Sequence, residues 1–417
     1  MMDAYYGRKI SVTPPLRENL HSLSSEICTT LRMIFWEHMY ATKAIQQTLG
    51  IHSAWEEEQR ALFSETVYDI TRWWRPLWYI IDIKPTPEEE YLQKLITIYL
   101  VSKKGDITAL QKRKGIDAAG VLQRIHTIKT SRALRESIPD WLDELGVKEL
   151  GSRWDSVIAS LNKHPDLIIR VNTLKINAKQ LSRALHKEGV IAEPLAGNTD
   201  ALFIKEKTNV FRLKSYDTGL FEVQDAASQM ASRMLNPQAG TRVIDACAGE
   251  GSKTLHLAAL IGNKGKIIAL DTQEWKLKEL RRRAKKAGAD TIETRQITSS
   301  KIIKRMKNTA DRLLLDVPCS GLGTLQRNPD IKWKLTIADL DRLRDIQHDL
   351  LDKYCTLLKP EGTMVYSVCS ILPSEGKQQI QEFLSNYKEF HLLEEKRYWP
   401  DKERGDGFYI AHVKRIS

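Results

Sequence analysis

Cysteine is scarce in this sequence: Cys28, Cys247, Cys319, Cys355 and Cys369 are 5 in 417 residues. An odd, scattered set with no CxxC pair argues against a disulfide framework, and no His/Cys cluster has the spacing of a zinc site. No metal is expected. With reduced thiols as the default, a cysteine that matters here matters for its reactivity. No apolar run approaches the roughly 18 residues that suggest a membrane span. The N-terminal MMDAYYGRKISVTPPLRENL lacks a continuous apolar segment and a small-residue cleavage site, so no signal peptide is read and a cytoplasmic location is expected. Internal repeats and low-complexity tracts are also missing.

What is present is size and positive charge. The 417 residues suffice for two or three domains, and an apolar fraction of 42% is ordinary for a globular chain. Lys and Arg number 64 against 53 Asp and Glu, a net charge of +11 that points to a polyanionic partner. The plain alternative is a basic, solvated surface.

Spaced apolar positions through LHSLSSEICTTLRMIFWEHMYATKAIQQTL and EEEYLQKLITIYLVSK predict helices from about 15 to 145, interrupted at Pro76, Pro85 and Pro87. The stretch KKGDITALQKRKGIDAAGVLQRIHTIKTSR is rich in Lys and Arg and reads first as solvated. Near Leu167 the character changes. DLIIRVNTLKI, DALFIKE and GLFEVQD have strand composition around the helix-like AKQLSRALHKEG, which gives a small α+β unit. From Gly240, the runs RVIDACAG, GKIIALD, TIETRQI, DRLLLDVP and GTMVYSVCS alternate with helical patterns. That alternation predicts an α/β fold with a doubly wound, mainly parallel sheet.

Ligands of such sheets bind beyond the carboxyl ends of the strands. The first strand of this region ends in DACAGEGSKT, Asp245 to Thr254, whose small residues admit a close ligand. The next strand ends in Asp271, a carboxylate placed to accept from ribose hydroxyls. The pair fits a nucleoside-containing cofactor, although neither GxGxxG nor GxxxxGK[ST] is present. The fourth and fifth strands end in Asp316-Val317-Pro318-Cys319 and Ser367-Val368-Cys369-Ser370. Both cysteines are therefore expected on the rim that carries the cofactor loop.

DACAGEGSKTLHL, DRLLLDVPCSGLGTLQRNPDIKW and VYSVCSILPSEG resemble the motifs of the Fmu/Sun (RsmB-type) RNA cytosine-5 methyltransferases. RVNTLK, EGVIAEPL, GLFEVQDAASQ and GDGFYIAHVKR match the same family, and the resemblance covers roughly Asp140 to Arg415. The helical N-terminal part is more loosely similar to the family's NusB-like domain. The resemblance implies a Rossmann-like class I fold with S-adenosyl-L-methionine as cofactor, held by Cys247, Ala248, Gly249, Glu250, Gly251, Ser252, Lys253, Asp271, Thr298 and Asp316. It implies Cys369 as nucleophile, Cys319 in product release and Asp316 on the cytosine ring. Lys253 is a candidate for making the cleft electropositive. Arg170 and Asn172 resemble positions near RNA, and Arg327, Lys332 and Lys334 are further candidates for its phosphates, with Trp333 stacking or, preferably, packing beneath the loop.

Two departures stand out. The family's alanine-alanine-proline-glycine-glycine-lysine is here Ala248 to Lys253 with Gly249, Glu250 and Ser252 as replacements, and serine is costly if its position needs a positive φ. Thr298 stands near where the family has an acidic residue for the adenine amino group, which predicts weaker cofactor binding. Three domains are expected: a helical NusB-like RNA-binding domain at 1–145, a small α+β RNA-binding domain at 146–235 and the methyltransferase domain at 236–417. The favoured activity is 5-methylcytosine formation in ribosomal RNA by a monomeric protein. Transfer RNA is the runner-up substrate, and an RNA-binding or assembly protein of weak turnover is the alternative from another class. A DNA cytosine methyltransferase would attack with the Cys319-type thiol, and an amino-group methyltransferase would carry NPP[YF] where this chain has DVPC.

Overall fold

A computed structural model describes residues 14–104, 118–205 and 208–416. Residues 105–117 of the basic stretch lie outside the described residues, as does the start of the N-terminal segment read for a signal peptide. The chain forms two compact units, Met1–His164 with Leu325–Leu335, and Pro165–Thr324 with Thr336–Ser417. The helical unit thus runs past the boundary expected at residue 145.

The helical unit is built as its periodicity predicts. In the helix Pro14–Phe35, Leu23, Ile27, Leu31 and Ile34 recur at helical spacing and are all buried. They pack with Phe63, Val67 and Ile70 of the helix Glu57–Arg72, which opens with a capping box between Glu56 and Gln59. Cys28 lies in this core.

The segment Leu325–Leu335 belongs to the same unit, through polar anchors. Arg72 donates to the carbonyls of Leu325 (3.1 Å) and Gln326 (2.8 Å), and Gln326 Nε2 donates to the Ser160 carbonyl at 2.9 Å. The Lys332 amino group, fully buried, donates to the Arg72 carbonyl (3.0 Å) and Asn162 Oδ1 (3.2 Å). Trp333 Nε1 donates to the Thr71 carbonyl at 2.8 Å while its ring packs on the helical core.

The second unit holds two sheets. Strands β1 (Leu167–Val171), β2 (Ala192–Leu195), β3 (Asn198–Ile204) and β4 (Phe221–Val223) form an antiparallel sheet in the order β2-β3-β1-β4. Strands β5 (Arg242–Asp245), β6 (Lys266–Asp271), β7 (Ile292–Gln296), β8 (Ala310–Asp316), β9 (Leu358–Val368), β10 (Phe390–Tyr398) and β11 (Phe408–Arg415) form the larger one. Its order, β10-β11-β9-β8-β5-β6-β7, is parallel from β9 to β7, with β11 antiparallel to both neighbours. This is the doubly wound, mainly parallel sheet that the alternation predicts. Chain order reverses at β5, so the ligand crevice is expected beyond β5 and β8.

Two strands escape the sequence reading. β2 contains Glu193 and Pro194, and β10 carries Glu394, Glu395, Lys396 and Arg397. Both are edge strands, where proline and charge are tolerated and discourage pairing with another chain.

Candidate active site

Register brings the site together. Asp316 pairs with Ser367 across β8 and β9, so the two chain segments leave the sheet side by side and reach their cysteines at one level. The Sγ atoms of Cys319 and Cys369 are 3.3 Å apart, and both residues are half-buried at the rim. The turns beyond them are stitched by the Gly323 N–H, which donates to the Cys369 carbonyl at 3.0 Å, and the Gly407 N–H, which donates to the Gly323 carbonyl at 2.8 Å. A Cβ on Gly323 would stand 1.9 Å from the Gly407 oxygen, which requires glycine there.

Beside the sulfurs, Lys253 Nζ donates to Asp316 Oδ2 at 2.6 Å, and Ser367 Oγ donates to Asp316 Oδ1 at 2.8 Å. Burial works against the Lys253 charge, but Asp316, with the Cys369 sulfur adding, holds its pKa above the usual lysine value. The Cys319 thiol is pushed well above its ordinary range, first by its hydrogen bond to Cys369, then by burial and by the charge of Glu375.

The loop after β5 closes against β6. The Gly249 N–H donates to Asp271 Oδ2 (2.9 Å), the Gln273 N–H to Asp271 Oδ1 (2.8 Å) and the Ala248 N–H to the Leu270 carbonyl (2.9 Å). Gly249 has φ +53° and nothing within 4 Å of where a Cβ would be, which leaves the loop open on that side. Gly251, at φ +90°, is filled instead: a Cβ would meet Leu280 at 2.5 Å. At the head of the loop, buried Asp245 accepts from Thr254 Oγ1 at 2.7 Å, and its other oxygen has no hydrogen-bond partner among the described residues. An open glycine turn, a half-buried carboxylate at Asp271 and an unmatched acceptor at Asp245 fit a nucleoside cofactor that carries hydrogen-bond donors. Cys247 is half-buried, and its thiol is pushed far up by burial and three nearby carboxylates, so it has no nucleophilic character. Glu250 is exposed, and its carbonyl accepts from Arg283 at 2.9 Å. Thr298 is exposed just past β7, whose Gln296 pairs with Asp271.

Several sequence expectations are corrected. Ser252 does not need a positive φ: that conformation falls on Gly249 and Gly251, while Ser252 opens the helix Ser252–Leu260 and accepts from Arg283 at 3.1 Å. Arg170 is buried and gives its guanidinium to Gln224 Oε1 and, at 2.6 Å, to the Ser252 carbonyl. Asn172 is buried and donates to the Gly219 and Ala287 carbonyls, each at 2.8 Å. Both tie the small sheet to the larger one within the second unit. Neither they nor buried Lys332 offers its charge or amide to RNA. Lys334 is likewise engaged, with the Met39 carbonyl and Asp330 Oδ2, each at 2.8 Å. Arg327 is half-buried. Among the described residues, no group of three or more His, Cys, Asp and Glu side chains could hold a metal ion.

Sequence reasoning missed Ser320, Ser370, Glu375 and Gln347, which line up behind the sulfurs. The signal was legible: CSGL and CSIL repeat one pattern, Cys-Ser-x-Leu, after the two strands.

Comparison with known proteins identifies the family. Residues 232–414 match the family described as 16S rRNA methyltransferase RsmB/F, and residues 138–211 match the ferredoxin-like domain described for RsmF/B-like methyltransferases. A probable ribosomal RNA small subunit methyltransferase B from Synechocystis is 34% identical over 308 residues, covering 69% of each chain. The chain belongs to the RsmB/F methyltransferase family. A second RsmB/F relative, ribosomal RNA small subunit methyltransferase B from Vibrio cholerae, is 31% identical over 66% of this chain and 65% of its own. The chain thus spans about two thirds of the length of these curated relatives. A crystal structure of a methyltransferase homolog from Pyrococcus horikoshii superposes with a TM-score of 0.62 at 28% identity, covering 68% of this chain and 98% of its own.

Proposed function

We propose that this RsmB/F-family chain is an S-adenosylmethionine-dependent RNA methyltransferase that forms 5-methylcytosine in ribosomal RNA through a covalent cysteine–cytosine adduct. The observation that carries the reading is the pair of sulfurs 3.3 Å apart beside the Lys253–Asp316 ion pair. The names of the relatives, small-subunit ribosomal RNA methyltransferases, favour ribosomal over transfer RNA as substrate.

Carbon 5 of cytosine is too weak a nucleophile to take a methyl group unaided. The Cys369 thiolate adds to carbon 6, which makes carbon 5 enamine-like and splits one hard step into two easier ones. Cys319, whose thiol is pushed well above its ordinary range, shares with Cys369 a hydrogen bond in which either sulfur can donate. Asp316, fixed by Lys253 and Ser367, hydrogen-bonds the cytosine ring and favours its protonation as the adduct forms. When bound at the open loop by Asp245, Gly249 and Asp271, S-adenosylmethionine supplies the methyl group that carbon 5 accepts. The carbon 5 proton then leaves and the Cys369–carbon 6 bond breaks, with Cys319 assisting that release. The target base must be unpaired or flipped out to reach the sulfurs. Of the five residues expected to hold RNA, Arg327 and Lys334 are half-buried; Lys334 is engaged with Met39 and Asp330, and Arg327 remains proposed for a flanking phosphate.

The test uses unmodified 16S ribosomal RNA and methyl-labelled S-adenosylmethionine. Cys369→Ala is expected to abolish transfer, and Cys319→Ala to accumulate a covalent protein–RNA complex. Trapping in the Cys369 variant would reverse the roles of the two thiols. Absence of transfer by the unaltered protein would favour an RNA-binding or assembly role.

A further inference from the structure

Each cysteine is followed by the same turn. Ser320 Oγ accepts from the Leu322 N–H at 3.3 Å, and Ser370 Oγ accepts from the Leu372 N–H at 3.1 Å. Short serine bonds of this kind fix a turn locally. Both hydroxyls then donate to one oxygen of Glu375, Oε2, Ser370 at 2.5 Å. The other oxygen, Oε1, accepts from the Ser320 N–H at 2.8 Å and from Gln347 Nε2 at 3.1 Å. Gln347 Nε2 also donates to the Pro318 carbonyl at 2.9 Å, and Tyr366 OH donates to the Glu375 carbonyl at 2.6 Å. Glu375 is 0% exposed.

An ionised carboxylate accepts at about four sites, and here four donors meet it, none of them cationic. Burying such a group is costly unless its bonds are complete. These bonds reach residues directly after both cysteines and the proline before one of them.

We infer that Glu375 is a positioning residue that clamps the Cys319 and Cys369 turns together and thereby fixes the separation of the two sulfurs. Its carboxylate touches neither sulfur nor, in the proposed reaction, the base; it acts through Ser320, Ser370 and Gln347. The negative charge it brings near Cys319 also disfavours a thiolate there. The catalytic consequence rests on the proposed cytosine-5 chemistry, whereas the clamp itself does not.

Two variants and two readouts test this. Glu375→Gln keeps the size but turns an acceptor oxygen into an amide donor, and Ser320→Ala with Ser370→Ala removes both hydroxyls and leaves Glu375 in place. The first readout needs no RNA: the rate at which diamide, which takes up the two protons and two electrons released, joins Cys319 to Cys369, measured by peptide mass. The second is the steady-state kinetics of methylation of unmodified 16S ribosomal RNA, with thermal unfolding to confirm a folded chain. Glu375→Gln is expected to slow cross-linking about tenfold and lower kcat about 100-fold, the loss that a misplacement near 1 Å can cause. The KM for S-adenosylmethionine should stay within about twofold, because the cofactor loop is untouched. The double serine variant should move both readouts in the same direction, and it decides the matter if Glu375→Gln does not fold. Cross-linking at the parent rate in a folded variant overturns the clamp, whatever the activity. Slowed cross-linking in the variants of a protein whose parent methylates nothing supports the clamp and overturns the proposed reaction.

Discussion

Asp245 ends β5 with one oxygen on Thr254 and the other without a hydrogen-bond partner among the described residues. Burial first of all, opposed by the Thr254 hydrogen bond and reinforced by the charge of Asp316, pushes its carboxyl up to about 7. The folded state therefore holds this proton more tightly than the unfolded chain, whose aspartates titrate near about 3.9. The associated stability is complete below the unfolded value and is lost as pH rises through about 7. Asp245→Asn, compared with the parent by thermal unfolding without cofactor, should gain several degrees at pH 8 and little or nothing at pH 4. His256 slopes the other way. Buried, with Nε2 3.8 Å from Asp200 Oδ2, it is pushed down to about 3 by burial and the nearby Arg170 charge against the opposing effect of Asp200, so its share of stability fades as pH falls below the ordinary histidine range. The residues proposed for the chemistry were legible because Asp316 and Asp271 end apolar strands and Cys319 and Cys369 follow β8 and β9 within three residues. Glu375 was not, because a glutamate a few residues past a strand reads as solvent-facing until folding places it behind both sulfurs.

At the scale of elements, the segment Leu325–Leu335 shows how a basic, aromatic stretch can deceive. QRNPDIKWK has the composition of a nucleic-acid contact, yet Lys332 and Trp333 spend their polar groups on backbone carbonyls of the helix that ends at Arg72. Composition cannot separate these outcomes, because a lysine serves a phosphate and a buried carbonyl equally well. Salt dependence can. A phosphate contact contributes about 0.7 to 0.9 to the slope of log affinity against log salt. Lys332→Met is therefore expected to leave the slope for 16S ribosomal RNA unchanged, as measured by filter binding over a salt series. Lys332→Glu, which buries a carboxylate among carbonyl oxygens, should cost about 3 kcal/mol or more in unfolding free energy. β2 and β10 teach the complementary lesson: edge strands carry proline and charge that erase the alternation by which strands are read.

At the scale of the molecule, the alternation from Gly240 onward made the doubly wound sheet legible, because buried parallel strands need continuous apolar runs between helices. The allocation of Leu325–Leu335 to the helical unit was not legible, since it depends on contacts far apart in sequence. It has a practical consequence. A chain cut to residues 165–417 would leave Leu325, Lys332 and Trp333 without the helices that receive them. Such a truncation should aggregate or unfold several degrees below the full chain in size-exclusion chromatography and thermal unfolding, and a well-behaved monomer of parental stability would contradict the shared-segment reading.

The central claim is that the sulfur at position 369 bonds to carbon 6 of a cytosine while the sulfur at position 319 serves its release. Its most direct test is to digest the complex that Cys319→Ala forms with unmodified 16S ribosomal RNA and methyl donor, and to locate the attached nucleotide by tandem mass spectrometry. A methylated cytidine adduct on the peptide that contains Cys369 is the expected result. An adduct on any other residue, or no adduct from a folded variant whose parent methylates, would contradict it.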